Sequence, residues 1–113
     1  MAFSLVRLKK EFDLLYKRGK TAKGSFFSLR FLENKHIGDK TRFGIVISTK
    51  VSKKAVERNR KRRQLKEIIR LNQDKIKDGY IALIIFHELG EDFDYKELEK
   101  EFLGLVNKAG ILK

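Results

Sequence analysis

The sequence predicts an α+β sandwich, with helices packed on one sheet. Apolar residues recur at helical spacing in three segments and at strand spacing in three others, in the order α-β-β-α-β-α. Size agrees: 113 residues, 42% of them hydrophobic, suit one domain spanning 1–113 with a real core.

Taken in order, Leu8, Phe12, Leu15 and Tyr16 stand at i, i+4, i+7 and i+8 and mark a first helix over 9–17, with Gly19 as its stop. Residues 25–32 then alternate, with Phe27, Leu29 and Phe31 on one side and Phe26, Ser28 and Arg30 on the other. That is a half-buried strand, and whether this region is one strand or two stays open. A turn at 34–40 around Gly38 leads to a second alternating run, 42–48. There Phe43, Ile45 and Ile47 point inward and Arg42, Gly44, Val46 and Ser48 share the opposite face. Ser52 is the expected N-cap of a helix reaching Leu71 or Asn72. Asp78 and Gly79 punctuate the chain before Tyr80–Phe86, whose nearly continuous apolar run predicts an interior strand. Asp94 caps a last helix carrying Leu98, Phe102, Leu105, Val106 and Ala109 on one face. No internal repeat, low-complexity tract or linker is visible.

The net charge of +12 is unevenly placed. Residues 1–42 carry a net +7, residues 50–70 a net +8, and residues 71–113 a net −3. Solubility alone does not require such polarity, which points to a polyanionic partner. No apolar run approaches the roughly 18–20 residues of a membrane span. Residues 1–6, followed by Arg7, Lys9 and Lys10, do not read as a signal peptide. The absence of cysteine removes disulfides, thiolate zinc sites and thiol nucleophiles, and fits a reducing compartment.

The helix of residues 53–72 divides in two. Leu65, Ile68, Ile69 and Asn72 fall within about 60° on a helical wheel and form an ordinary core stripe. Continued toward the N-terminus, the stripe runs through Lys61, Arg62 and Arg58, while Arg60, Arg63, Lys66 and Arg70 occupy the opposite face. The first half is basic all round. Its long stems can snorkel at a core edge, but three such positions in a row cannot be buried without large desolvation costs. This half is expected to project past the sheet and meet phosphates, which relieve the like-charge pairs at i,i+4. A strand precedes it, so a helix-turn-helix reader of DNA is disfavoured. A second surface suggests single-stranded nucleic acid: Phe12 and Tyr16 beside Phe26, Ser28, Arg30 and Arg42 would interleave aromatics with cations. Aromatics at i,i+4 more commonly belong to a core, and the charge of Lys9, Lys10, Lys17 and Arg18 argues the other way.

Catalytic chemistry is missing. His36 and His87 show no acid–base partners, Glu57 and Glu67 do not converge, and no Gly-rich phosphate loop is present. On its own residues the chain is not an enzyme and holds no metal.

The run Lys53-Lys54-Ala55-Val56-Glu57-Arg58-Asn59-Arg60-Lys61-Arg62-Arg63 closely resembles the Arg-Asn-Arg signature of the bacterial ribonuclease P protein family. Its setting is similar too: Glu11-Phe12, Tyr16 and Gly19 come early, followed by the Phe-rich strand and 42–50. Asp78-Gly79-Tyr80 opens a strand, and Asn107-Lys108-Ala109-Gly110 follows near the end. The resemblance covers nearly the whole length. It implies an α-β-β-β-α-β-α sandwich, ribosomal-protein-like, with a four-stranded sheet and a left-handed βαβ crossover that composition could not have revealed.

The resemblance also implies a role: the protein subunit of a ribonucleoprotein endoribonuclease that removes the 5′ leader of precursor tRNA. Catalysis would be carried by the RNA subunit and the Mg²⁺ it holds, with no organic cofactor, no membrane and no obligate protein partner, in the cytoplasm. Lys50, Lys53, Lys54, Arg58, Asn59, Arg60, Arg62, Arg63 and Lys66 would contact the RNA subunit. Phe12, Tyr16, Lys17, Phe26, Ser28, Arg30 and Arg42 would line the leader cleft. Ser28 and Arg30 stand where many relatives carry apolar or aromatic residues, which shifts that cleft toward phosphate contacts. Lys61 and Gln64 replace usual aliphatics and weaken helix packing, and His87 replaces a common basic residue. Two other readings remain. A structural, ribosomal-type RNA binder would explain the charge equally well and co-sediment with ribosomes. A stand-alone nuclease would need activity without RNA, dependent on His36 or His87.

Overall fold

Alternation along one strand organises the molecule, because β4 (Tyr80–Phe86) sends successive side chains to opposite faces of the sheet. The computed structural model describes residues 9–33, 41–89 and 94–113, with the side chains of 9–12 excepted. The other elements are α1 (Lys9–Arg18), β1 (Lys20–Lys23), β2 (Phe27–Glu33), β3 (Arg42–Val46), α2 (Ala55–Leu71), a 3-10 turn (Gln73–Lys75) and α3 (Tyr95–Lys108). The strands lie in the order β1-β2-β4-β3. β1 pairs antiparallel with β2, β2 antiparallel with β4, and β3 parallel with β4 across the α2 connection. The α-β-β-β-α-β-α order and helix-covered four-stranded sheet implied by the family resemblance are therefore present, with one strand more than the residue pattern alone predicts.

The even-numbered residues of β4 build the larger core. Ala82, Ile84 and Phe86 meet Phe27 and Leu29 from β2, Phe43 from β3, and Leu65, Ile68 and Ile69 from α2. Leu98, Phe102, Leu105 and Val106 of α3 close the same layer, and the Phe43 and Phe102 rings meet edge-on at 5.6 Å between centroids. The odd-numbered residues face the other way. There Ile81 and Leu83 pack on Leu15 of α1, with Leu32, Val46 and Ile85 half-buried around them. α1 thus covers one face of the sheet, and α2 and α3 cover the other.

Several boundaries differ from expectation, each for a local reason. β2 begins at Phe27 because the Glu101 carboxylate accepts the backbone N–H groups of Ser25 (2.7 Å), Phe26 (3.0 Å) and Phe27 (3.2 Å). Residues 25 and 26 therefore form a bend, and the alternation expected to include Phe26 starts after it. Phe26 packs instead against the larger core. Ser52 is not the N-cap of α2; Lys54 is, with no side-chain cap bond. The Ser52 hydroxyl acts two residues upstream, accepting the Lys54 N–H at 3.3 Å and donating to Glu57 at 2.8 Å. β3 stops at Val46, two residues short of the expected run, although Ile47 is still buried.

Other expectations hold. Asp94 accepts the Glu97 N–H at 3.0 Å as N-cap of α3. Asn72, placed in the core stripe, is buried and donates to the Ile68 carbonyl at 2.8 Å. Gly79 turns the chain into β4 at φ 88°, a conformation that favours glycine. The turn expected at 34–40, His36 within it, and the side chain of Phe12 lie outside the described residues.

Candidate nucleic-acid interface

Two surfaces flank the sheet. The first is built from the segment that leaves β3 and the N-terminal half of α2. After β3 the chain makes a turn in which Val51 and Ser52 donate to the Ser48 carbonyl (3.0 and 3.4 Å). Arg58 reaches back from α2 to the Ser52 carbonyl at 2.7 Å, and Ser52 holds Glu57. These bonds tie the turn to the helix and place exposed Lys50, Lys53 and Lys54 around the helix start. That end already carries the positive pole of the helix dipole, so charge and dipole point the same way.

Along α2, Arg58, Lys61, Arg62 and Lys66 are half-buried, and Asn59, Arg60 and Arg63 are exposed. The Asn59 side-chain oxygen accepts from the Arg62 guanidinium at 3.0 Å, which orients that guanidinium along the helix surface. Val56, Asn59, Arg62, Arg63 and Lys66 line an open groove of about 500 Å³. Among the described residues, Arg60, Arg63 and Lys66 face no carboxylate within 4 Å; the Arg70–Glu67 pair at 3.9 Å lies at the other end of the helix. Burial first, and then the neighbouring Arg60 charge, holds the Lys61 ammonium below its ordinary value, with Asp94 partly opposing them.

The second surface is the α1 side of the sheet. Cross-strand register sets Thr21, Arg30, Leu83 and Gly44 in one row and Lys23, Ser28, Ile85 and Val46 in the next, with Leu32, Ile81 and Arg42 on the far side. Tyr16 stands at the edge of this face with 60% of its surface exposed, so it is a surface aromatic and not a core residue. Lys17 beside it is exposed as well. Arg30 does not point freely into the face: it donates to the Leu15 and Tyr16 carbonyls and to the Thr21 hydroxyl.

Ser28 is buried and bonds His87 at 2.6 Å, which brings the histidine onto this face. Residue spacing alone shows no partner for His87. Its place in the series Ile81, Leu83, Ile85, His87 was the signal that could have found it. Phe26 is the member of the expected cleft that the structure places elsewhere. Among the described residues no three carboxylates, histidines or cysteines gather to hold a metal ion. No described helix is long and apolar enough to cross a membrane.

The profile of one protein family, Ribonuclease P, matches residues 4–110. The chain belongs to the bacterial ribonuclease P protein family. The ribonuclease P protein component of Clostridium botulinum (strain Loch Maree / Type A3) is 39% identical over 107 residues, 94% of each chain. That of Clostridioides difficile (strain 630) is 40% identical over 107 residues, 92% of this chain and 91% of its own.

Solved ribonuclease P proteins agree. One from Thermotoga maritima, in complex with 1-(4-fluorophenyl)-2-thiourea, matches at a TM-score of 0.80 and 32% identity, over 91% of this chain and 97% of its own. One from Staphylococcus aureus matches at a TM-score of 0.84 over 96% of each; at 22% identity it speaks for the fold alone. The chain is accordingly the protein subunit of the endoribonuclease ribonuclease P, which assists removal of the 5′ leader from precursor tRNA. Membership implies the ribonuclease P RNA as its partner.

Proposed function

We propose that this ribonuclease P protein, acting as a single domain in the cytoplasm, grips its RNA subunit through the basic half of α2 and holds the precursor-tRNA leader across the α1 face of the sheet. The observation that carries the reading is that Arg60, Arg63 and Lys66 of α2, among the described residues, face no carboxylate within 4 Å and stand beside an open groove. Lys50, Lys53, Lys54, Arg58, Asn59, Arg60, Arg62, Arg63 and Lys66 supply this contact. Neutralising phosphates releases counterions, so affinity falls steeply with salt.

The leader runs over Tyr16, Lys17, Ser28 and Arg42, where an aromatic ring, cations and the half-buried Val46 and Ile85 offer stacking and phosphate contacts without base-specific readout. Mg²⁺ resides on the RNA, where it supplies the phosphodiester chemistry; the protein's part is to bind and orient. Reconstitution tests this. At low Mg²⁺ the full chain should raise both cleavage and affinity for leader-bearing precursor tRNA when added to a bacterial ribonuclease P RNA. No gain in either would overturn the reading.

A further inference from the structure

We infer that Arg30 is a positioning residue for the leader face, acting through Tyr16 and the end of α1 and not by touching phosphate; this rests on the leader reading above. The last carbonyls of a helix have no intrahelical partners, and those of α1 end above β2. Arg30 rises from β2 and meets them. Its Nε donates to the Leu15 carbonyl, Nη2 to the Tyr16 carbonyl at 2.7 Å and Nη1 to the Thr21 hydroxyl at 2.9 Å.

Thr21 is its cross-strand partner in β1, so one planar guanidinium ties three elements together. A cation at this helix end also opposes the negative pole of the dipole. The turn is tight around it: Gly19 donates to the Leu15 carbonyl at 3.0 Å, and a Cβ at Gly19 would clash with that oxygen and lie 3.2 Å from the Arg30 Cγ. The guanidinium carbon sits 5.9 Å from the Tyr16 ring centroid. One side of the exposed ring is thereby braced, and the rest is available to a nucleobase. Three of the five guanidinium N–H groups are engaged within the protein.

A phosphate contact and a positioning role predict different things for Arg30→Lys. Lysine keeps the charge and would preserve a phosphate contact, but it cannot fork across two carbonyls and a hydroxyl. The experiment measures binding of leader-bearing precursor tRNA and of mature tRNA to the assembled RNA–protein enzyme across a salt series. Arg30→Lys and Arg30→Gln should both weaken leader-bearing substrate roughly tenfold, leave mature tRNA within about twofold, and leave the slope of log K against log salt unchanged. Thr21→Val, which removes one acceptor and keeps the arginine, should lose about two- to threefold on the same substrate. Adding Arg30→Lys to Tyr16→Ala should cost less than about twofold more, since both act through one ring.

Wild-type affinity in Arg30→Lys, or a slope reduced by about one in Arg30→Gln, would overturn the inference in favour of a phosphate contact. Equal losses on both substrates would overturn it in favour of a merely structural role. If the wild-type enzyme binds leader-bearing and mature tRNA alike, or Tyr16→Ala changes neither, the leader reading fails and takes this one with it. A Tyr16 effect without an Arg30 effect sinks this one alone.

Discussion

The two halves of α2 have the same backbone and opposite surroundings. In the C-terminal half, Leu65, Ile68 and Ile69 are fully buried against the sheet and α3. In the N-terminal half, Val56 is 66% exposed and Arg60 and Arg63 stand in solvent. An isolated helix of about ten residues is marginal in water, and like charges at i,i+4 weaken it further. The basic half is helical because the packed half continues into it and the turn before it is bonded to its first residues. Anchor and reader are one element, so the division of labour between them can be tested by substitution.

The largest effect belongs to the anchor. Leu65→Ala should destabilise the protein by about 2–5 kcal/mol, read as a lower urea midpoint, because a fully buried side chain leaves a cavity. RNA affinity of the folded fraction should stay unchanged. Next, Arg60→Glu together with Arg63→Glu should weaken binding to the RNA subunit by about 10- to 100-fold and flatten its salt dependence, with a melting temperature equal to or above the parent's. A stability loss comparable to that of Leu65→Ala would erase the distinction between the halves.

At the boundary, Gln64 buries a side-chain oxygen with no hydrogen-bond partner. Gln64→Leu should therefore raise stability by about 1 kcal/mol in thermal unfolding, without changing RNA affinity. The smallest effect concerns Lys61, whose ammonium is held below 10.5 by burial and by Arg60. Folding is penalised while that group is charged, and the penalty fades as pH rises through the lowered value. Lys61→Met should stabilise the free protein slightly at neutral pH and lose its advantage over the parent in alkaline denaturation series.

The sequence revealed these elements unequally. β4 and α3 were legible because a continuous apolar run and a capped amphipathic stripe are local patterns, and both were found where expected. The two characters of α2 were legible for the same reason. No residue pattern marks β1, because Lys20–Lys23 offers one apolar side chain, Ala22, and owes its place to pairing with β2; only the family resemblance implies a third strand before α2. Phe26 was assigned to the cleft by alternation, yet Glu101, 75 residues away, decides where β2 begins. Arg30 read as a phosphate ligand because a cation on a strand face looks free until the carbonyls of α1 are placed above it. Tertiary partners decided each of these cases, and no window of neighbouring residues contains them.

The bonds joining Ser52 to Glu57 and Arg58 bear on the entropy of binding. Fixing a free backbone residue costs about 1–2 kcal/mol. A basic tail that ordered itself on RNA would meet that cost for every residue it laid down. Here the backbone carrying Lys50, Lys53 and Lys54 is already latched to the first turn of α2, and ordering falls mainly on the long side chains, about 0.5–1.5 kcal/mol each. The basic patch therefore meets RNA as a preformed surface, and more of its electrostatic attraction is retained as affinity.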